Sequence, residues 1–216
     1  FFDSIDSTNI RAKLEAEQGA ESGLLVVADQ QTAGRGRRGR GWESPSGSNI
    51  YYTLMLKPDF NADCAPMLTL VMALAVAKGI RQTLGRGSEE GAAKVGIKWP
   101  NDIVVDGKKV CGILTEMSME QAYIHHIVIG VGINVRRQEF PEEIRDRAAA
   151  IEEQCGFRIS RSQLIADIIE AFEEDYEIFL QTHDLKRLRD SYAKLLVNRD
   201  REVCVLDPKG EFRGTA

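Results

Sequence analysis

The sequence is short of the patterns that announce most common sites. Its four cysteines, Cys64, Cys111, Cys155 and Cys204, form no C-x-x-C, and no two are close together. That spacing argues against a zinc ribbon or a thioredoxin-type motif, and the cysteines read as reduced core thiols. Only three histidines occur, His125, His126 and His183, without an H-x-x-x-H pair, so no histidine-based metal site is expected. There is no G-x-x-x-x-G-K-[ST], so any ATP must be held by something other than a Walker A loop. No run of about 18 apolar residues marks a membrane span. The N-terminus is acidic and polar, unlike a signal peptide, and a cytoplasmic location is the default expectation. The net charge of −5 makes the chain a poor nonspecific partner for nucleic acid, so any basic feature must be local. Internal repeats and low-complexity tracts are also missing.

What remains is an ordinary globular composition, 43% hydrophobic and 28% charged. A chain of 216 residues can bury a core without staples. Residues 7–18 read as a helix that Ser7 or Thr8 can cap and Gly19 can end. Leu24 to Ala28 reads as a buried strand, and Ile50 to Leu56 as an alternating one. Pro66 to Leu84 has near-helical apolar spacing, with the proline suited to its first turn. Residues 85–91 read as a loop, and Val95 to Trp99 as a short strand. Asp106-Gly107 between Ile103–Val105 and Val110–Met117 predicts a hairpin. Residues 122–135 form a further strand, broken by Gly130 and Gly132.

Beyond Phe140 the pattern becomes helical. Ser160-Arg161-Ser162-Gln163 predicts a capping box. Leu164, Ile165, Ile168, Ile169, Phe172, Tyr176 and Phe179 trace one face of a long helix, and a second helix is expected over residues 184–196. Glu202–Leu206, a turn at Asp207-Pro208-Lys209-Gly210, and Glu211–Arg213 read as a hairpin opening a small β-domain. Strand clusters followed by helices predict an α+β fold with a mixed, largely antiparallel sheet packed with helices. The boundary falls between residues 1–196 and 197–216. Phe1 in place of methionine, and an end directly after a strand-like stretch, suggest a chain cut from something longer.

Gly34-Arg35-Gly36-Arg37-Arg38-Gly39-Arg40-Gly41 places four arginines among four glycines. Glycine lets backbone N–H groups approach a ligand, and arginine brings a fork of donors suited to phosphate and carboxylate. Four neighbouring arginines repel one another, which argues for a partner anion and for a loop that is mobile until the anion arrives. Gly34-x-Gly36-x-x-Gly39 formally fits a dinucleotide fingerprint, but that fingerprint must open a helix, and here a strand follows. Gly/Arg tracts also bind RNA in disordered tails, whereas this one is a single short copy in an acidic chain. A solvated loop without function is the third reading.

Lys98-Trp99-Pro100-Asn101-Asp102 lies between two strands, with Pro100 and Asn101-Asp102 making a tight turn. A lysine aimed by that turn can neutralise a carboxylate or a transferring phosphoryl group, though most lone lysines at strand ends are simply solvated. Asp102 could hold Mg²⁺, which takes oxygen ligands and bridges phosphates. Gly130 and Gly132 within Gly130-Val131-Gly132-Ile133-Asn134 mark either a close approach to the strand or a bend. Asn134 offers a donor and an acceptor suited to an adenine edge.

Together these segments resemble the catalytic domain of the biotin–protein ligases. The resemblance rests on Asp6-Ser7-Thr8-Asn9, Gln31 to Trp42, Lys98 to Asp102, Gly112-Ile113-Leu114-Thr115-Glu116 and Gly130 to Asn134, in the family's order, over roughly residues 3–200. It implies a class II synthetase-like catalytic domain related to lipoate ligases, followed by a small SH3-like β-barrel. Some bacterial members add an N-terminal winged helix-turn-helix, for which Phe1 leaves no room in this chain. The implied chemistry takes biotin and ATP, with Mg²⁺, to biotinyl-5′-AMP, then to a lysine of a biotin carboxyl carrier protein. Acetyl-CoA carboxylase or another biotin-dependent carboxylase would supply that acceptor.

Carried over by position, Ser7, Thr8, Asn9 and Gln31 would hold the ureido ring, and Gly34, Gly36 and Gly112 would line the biotin site. Arg35, Arg37 and Lys98 would meet the carboxylate and phosphate. Arg37, Arg40, Trp42, Asn101, Gly132 and Asn134 would face the nucleotide. Gly41 departs from relatives, in which a charged residue is frequent there. The resemblance also implies a capacity to form homodimers and no nucleic-acid contact through this chain. A lipoate- or octanoate-transferring relative of the same fold is the alternative.

Overall fold

Strand β2 (Ile50–Leu56) is buried at every residue, on both faces of the sheet it belongs to. It runs between β1 (Leu24–Ala28) and β6 (Tyr123–Ile133) in the computed structural model, which describes residues 1–121, 123–207 and 210–216. Beyond β6 lie β5 (Lys108–Glu120), β4 (Asp102–Val105) and β3 (Val95–Lys98), giving one six-stranded sheet in the order β1-β2-β6-β5-β4-β3. All five pairings are antiparallel. The parallel component of the mixed sheet is confined to isolated bridges at the margins, including Phe2 and Ile5 beside Ala28 and Gln31, and Leu196 beside Ile97.

Strand periodicity sorts these side chains into two cores. Ile50, Tyr52, Leu54 and Leu56 join Ile127, Ile129, Val131 and Ile133 on one face. Helices α2 (Met67–Gly85) and α5 (Arg161–Thr182) cover that face. Full burial of Phe172 or Phe179, both from α5, stabilises by about 1.5–3 kcal/mol each. Two acids on the buried side of α5 are matched from α2 and its C-cap: Asp175 by Lys78 at 2.6 Å and Asp167 by Arg86 at 3.0 Å. On the opposite face Val26, Met55 and Val128 form a smaller core with Ala12 and Ala16 of α1 (Thr8–Glu17). Residues Ala62–Gly85 are apolar and long enough by composition to cross a membrane, yet α2 is packed into the core of this fold.

The Asp106-Gly107 hairpin has φ of 51° and 77° at its two residues, the left-handed pair that a tight hairpin turn requires. Elsewhere the structure differs from the sequence reading in detail. Residues 85–91 are not all loop: Ser88 accepts a hydrogen bond from the Gly91 amide and starts a short helix α3, Glu89–Ala93. The next short helix, α4, spans Ile151–Cys155.

The helix expected from residue 184 begins only at Arg189 and ends at Leu195 (α6). The Asp184 carboxylate accepts from the Lys186 amide instead, a local turn that competes with helix. The capping box is half formed. Ser160 Oγ accepts from the Gln163 amide, while the Gln163 side chain donates to Asp167 at 2.8 Å. Ser7 occupies the cap position of α1 without a side-chain cap bond. Strands β7 (Glu202–Asp207) and β8 (Gly210–Thr215) pair as a separate two-stranded sheet. Pro208 and Lys209 of the expected turn, and Ala122 at the start of the expected strand, lie outside the described residues.

Candidate functional site

The pairing registers align Ala28, Tyr51, Gly132, Gly112, Asp102 and Lys98 as one row across all six strands. The next row on the same face is Val26, Thr53, Gly130 and Leu114, followed by Leu24, Met55, Val128 and Glu116. Glycine at the centre of the first two rows removes the side chains that would otherwise fill this face. Strand β6 pairs without interruption on both sides through Gly130 and Gly132. The glycines serve close approach. A Cβ on Gly130 would stand 2.0 Å from Asn9 Oδ1. One on Gly132 would stand 2.5 Å from Trp42 Nε1, and one on Gly112 2.9 Å from Trp42 Cζ3.

Under the start of α1 the polar motif residues form one network. Thr8 donates through its amide (2.9 Å) and hydroxyl (3.0 Å) to Gln31 Oε1, and Gln31 Nε2 donates to Ser44 Oγ at 2.9 Å. Thr53 Oγ1 lies 2.9 Å from Thr8 Oγ1 and donates to Asn9 Oδ1 at 2.6 Å. Asn9 Nδ2 donates to Glu116 Oε2 at 2.8 Å, and Lys13 Nζ lies 2.7 Å from Glu116 Oε1. Burial alone would raise the Glu116 carboxyl. The bonds from Asn9 and Lys13, with the charges of Lys13 and Arg35, hold it below its ordinary value. Ser7, Thr8 and Asn9 are all buried.

The Gly/Arg loop is folded back as a small hairpin. Trp42 donates through its amide to Gly34 O, Gly36 to Arg40 O, and Arg35 bridges to Gly41. The turn at its tip uses positive φ at Arg38 (58°) and Gly39 (73°). Gly34 is compressed against Trp42 O and Ser44 Oγ, leaving no room for a Cβ. Arg37 Nη1 donates to Asn101 Oδ1 at 2.7 Å. Asn101 is itself fixed, donating through Nδ2 to Ile113 O at 3.0 Å and accepting from the Ile113 amide at 2.9 Å. One side-chain bond thus fastens the arginine loop to the turn that follows Lys98, the exposed last residue of β3 at the end of the glycine row. Arg40 is exposed beside the tip of the hairpin.

Two predicted residues already have partners within the protein. Asp102 is paired with Lys109 at 2.7 Å, an ion pair that a Mg²⁺ on this carboxylate would have to open. Asn134 is buried beyond the end of β6 and donates through Nδ2 to Ala149 O at 3.3 Å, a bond that fixes the amide while leaving its second N–H and its oxygen for other partners. Trp42 lies in the glycine trough with Lys109 Nζ 5.3 Å from its ring centroid. Its indole Nε1 is buried without a hydrogen-bond partner among the described residues, and such donors are rare enough to suggest a ligand or water acceptor.

Sequence reasoning gave no role to Thr53, Ser44, Lys13 or Lys109, nor to Glu116 within its motif. Thr53 carried a signal, being the one hydroxyl threonine amid an otherwise apolar and aromatic strand. Lys109 carried none, since lysine beside a hairpin turn is usually solvated.

A sequence-family model described as the biotin/lipoate A/B protein ligase family matches residues 1–134. The bifunctional ligase/repressor BirA of Bacillus subtilis is 41% identical over 198 residues, covering 89% of this chain and 58% of that protein. The chain therefore spans little more than half the length of this relative. A biotin–[acetyl-CoA-carboxylase] ligase of Paracoccus denitrificans is 32% identical over 190 residues, covering 87% of this chain and 76% of the relative. Among solved structures, biotin protein ligase from Aquifex aeolicus in complex with biotin and ATP superposes with a TM-score of 0.82 at 29% identity, covering 100% of this chain and 85% of that one. With the motif residues gathered on one face of the same α+β sheet, and a family match over well over half of its length, this chain belongs to the biotin/lipoate A/B protein ligase family.

Proposed function

We propose that the chain is the catalytic part of a biotin–protein ligase. It would join biotin to the AMP moiety of ATP and pass the biotinyl group to a lysine of a biotin carboxyl carrier domain. The observation that carries this reading is the Arg37–Asn101 bond. It closes the cationic loop over a glycine-floored trough that ends at Lys98, so one anionic junction between an acyl group and a nucleotide would meet all of these groups. The names of the relatives, and the biotin- and ATP-bound state of the Aquifex aeolicus protein, support the choice of substrates.

In the first half-reaction a carboxylate oxygen of biotin attacks the α-phosphorus of ATP and pyrophosphate leaves. In the second, the ε-amine of the acceptor lysine attacks the acyl carbon and AMP leaves with the bonding electrons. Neither step needs a covalent enzyme intermediate, so the protein contributes position and charge. Lys98, Arg35 and Arg37 would offset negative charge gathered at the carboxylate and α-phosphate. Thr8, Asn9 and Gln31, oriented by Thr53, Ser44 and Glu116, would orient the polar ring of biotin. Trp42 would present its indole to the nucleotide. With Asp102 paired to Lys109, Mg²⁺ would enter with ATP, held by its phosphates. By the same reading residues 1–196 form the catalytic unit, and 197–216 open the small SH3-like domain.

Incubation with biotin, ATP and a carrier domain, followed by mass spectrometry, tests the proposal. One lysine should gain a biotinyl group only when ATP is present. Transfer of lipoate in preference to biotin would overturn the reading, because a site built to bond a ureido ring discriminates strongly against a dithiolane.

A further inference from the structure

His125 and His126 are adjacent in sequence, and in a regular strand they would point to opposite faces. They do not, because β5 and β6 slip register between Ser118 and Met119. Ser118 pairs with His126 and Met119 with Ile124, so His125 is the extra residue of a bulge, a device that re-aims a side chain. The bulge brings His125 Nδ1 to 2.7 Å from His126 Nδ1. Glu17, the last residue of α1, reaches over the pair, with Oε1 3.5 Å from His125 Nδ1 and 3.8 Å from His126 Nδ1.

The geometry points to a binding site for a borderline-soft divalent cation of the zinc class, held by His125 Nδ1, His126 Nδ1 and Glu17 Oε1. Ligand atoms about 2.0–2.2 Å from a tetrahedral zinc stand about 3.3 Å apart. The two edges to Glu17 are already near that separation, and the edge between the imidazoles must open by roughly 0.6 Å. Zinc requires both imidazoles neutral. Neutral rings this close share one Nδ1 proton. Metal binding moves that proton to Nε2 of its own ring, so the step conserves charge and releases no proton. His126 Nε2 is buried without a partner among the described residues. Metal-ligating histidines usually donate that nitrogen to an acceptor, and lacking one weakens affinity by about 10–100-fold. The site is therefore of moderate affinity, weaker than a four-ligand structural zinc.

Asn9, Lys13 and Glu17 follow one another at helical i, i+4 spacing on the side of α1 that faces the sheet. Asn9 and Lys13 already engage Glu116. A cation on Glu17 and the histidines would add a clamp at the far end of the same helix, remote from the residues assigned to chemistry.

The test is zinc titration of chelator-treated protein by calorimetry, repeated on His125→Ala and Glu17→Gln, both at accessible positions that leave the core intact. Wild type should take up one equivalent at this site and gain thermal stability with zinc. His125→Ala should lose that uptake, and Glu17→Gln should bind roughly tenfold more weakly. Wild-type-like binding by His125→Ala, or no binding by the wild type, would overturn the proposal. So would a thiolate charge-transfer band on cobalt substitution, which would place the metal on cysteine.

Discussion

Gly130→Ala isolates the packing logic of the site in one methyl group. A Cβ there would fall 2.0 Å from Asn9 Oδ1 and 2.9 Å from Asn9 Cγ, and Asn9 cannot move without breaking its bonds to Thr53 and Glu116. Overpacking costs about 1–3 kcal/mol, and each disturbed buried hydrogen bond about 1 kcal/mol. The substitution should therefore destabilise by about 2–4 kcal/mol, lowering Tm by about 5–15 °C for a domain of this size.

Asn9→Ala alone should cost about 2–3 kcal/mol through the lost bonds. In that background no amide remains to collide with. Gly130→Ala should then be neutral or stabilise by about 0.4–1 kcal/mol, through its effect on the unfolded chain. A double-mutant cycle by guanidinium unfolding reads the sign change directly. Additivity within about 0.5 kcal/mol would refute the claim that Gly130 exists to admit Asn9.

Other outcomes follow from the same geometry. Lys98→Ala should leave unfolding unchanged within about 0.5 kcal/mol, since Lys98 is exposed, yet remove most biotin- and ATP-dependent pyrophosphate release. Arg37→Ser breaks the bond to Asn101 and should release biotinyl-AMP to solvent, measured as loss of the retained adenylate on gel filtration. The Glu116 carboxyl is held below its ordinary value, so its contribution to stability is full above that value and fades as pH falls through the lower folded one; Glu116→Gln should lose this acid dependence in pH-resolved denaturation. Cys111 is fully buried and its thiol is pushed well up by desolvation, so a thiol reagent should modify exposed Cys204 in the native protein and reach Cys111 only on unfolding.

The elements of the fold were legible wherever one local signal agreed with burial. The alternation of Ile50–Leu56, the Asp-Gly turn and the apolar face of α5 all fold as their patterns dictate. Failures came where a side chain found a better local partner than the pattern assumed. Gln163 answers the buried Asp167 rather than Ser160, and Asp184 captures the Lys186 amide and delays a helix. The motif residues were legible as a set, but their roles were not, because roles depend on registers between strands far apart in sequence. Lys109 illustrates this. Beside its turn it looks solvated, yet the β4–β5 pairing brings it to Asp102 and Trp42. That pairing decides what Asp102 can do.

Register also explains why the two histidines drew no attention as a pair. Spacing rules for metal ligands assume regular elements, in which neighbours i and i+1 never converge. The bulge between Ser118 and Met119 violates that assumption by a single residue. The same sheet thus works in two ways. Register at one row across the sheet sets glycines 112 and 132 in line with Lys98, making a trough with a charge at its end. A local loss of register at the far end of β6 brings together two imidazoles and a carboxylate. Helix α1 touches both arrangements, through Asn9 at one end and Glu17 at the other, because an i, i+4 repeat keeps both residues on the face turned toward the sheet.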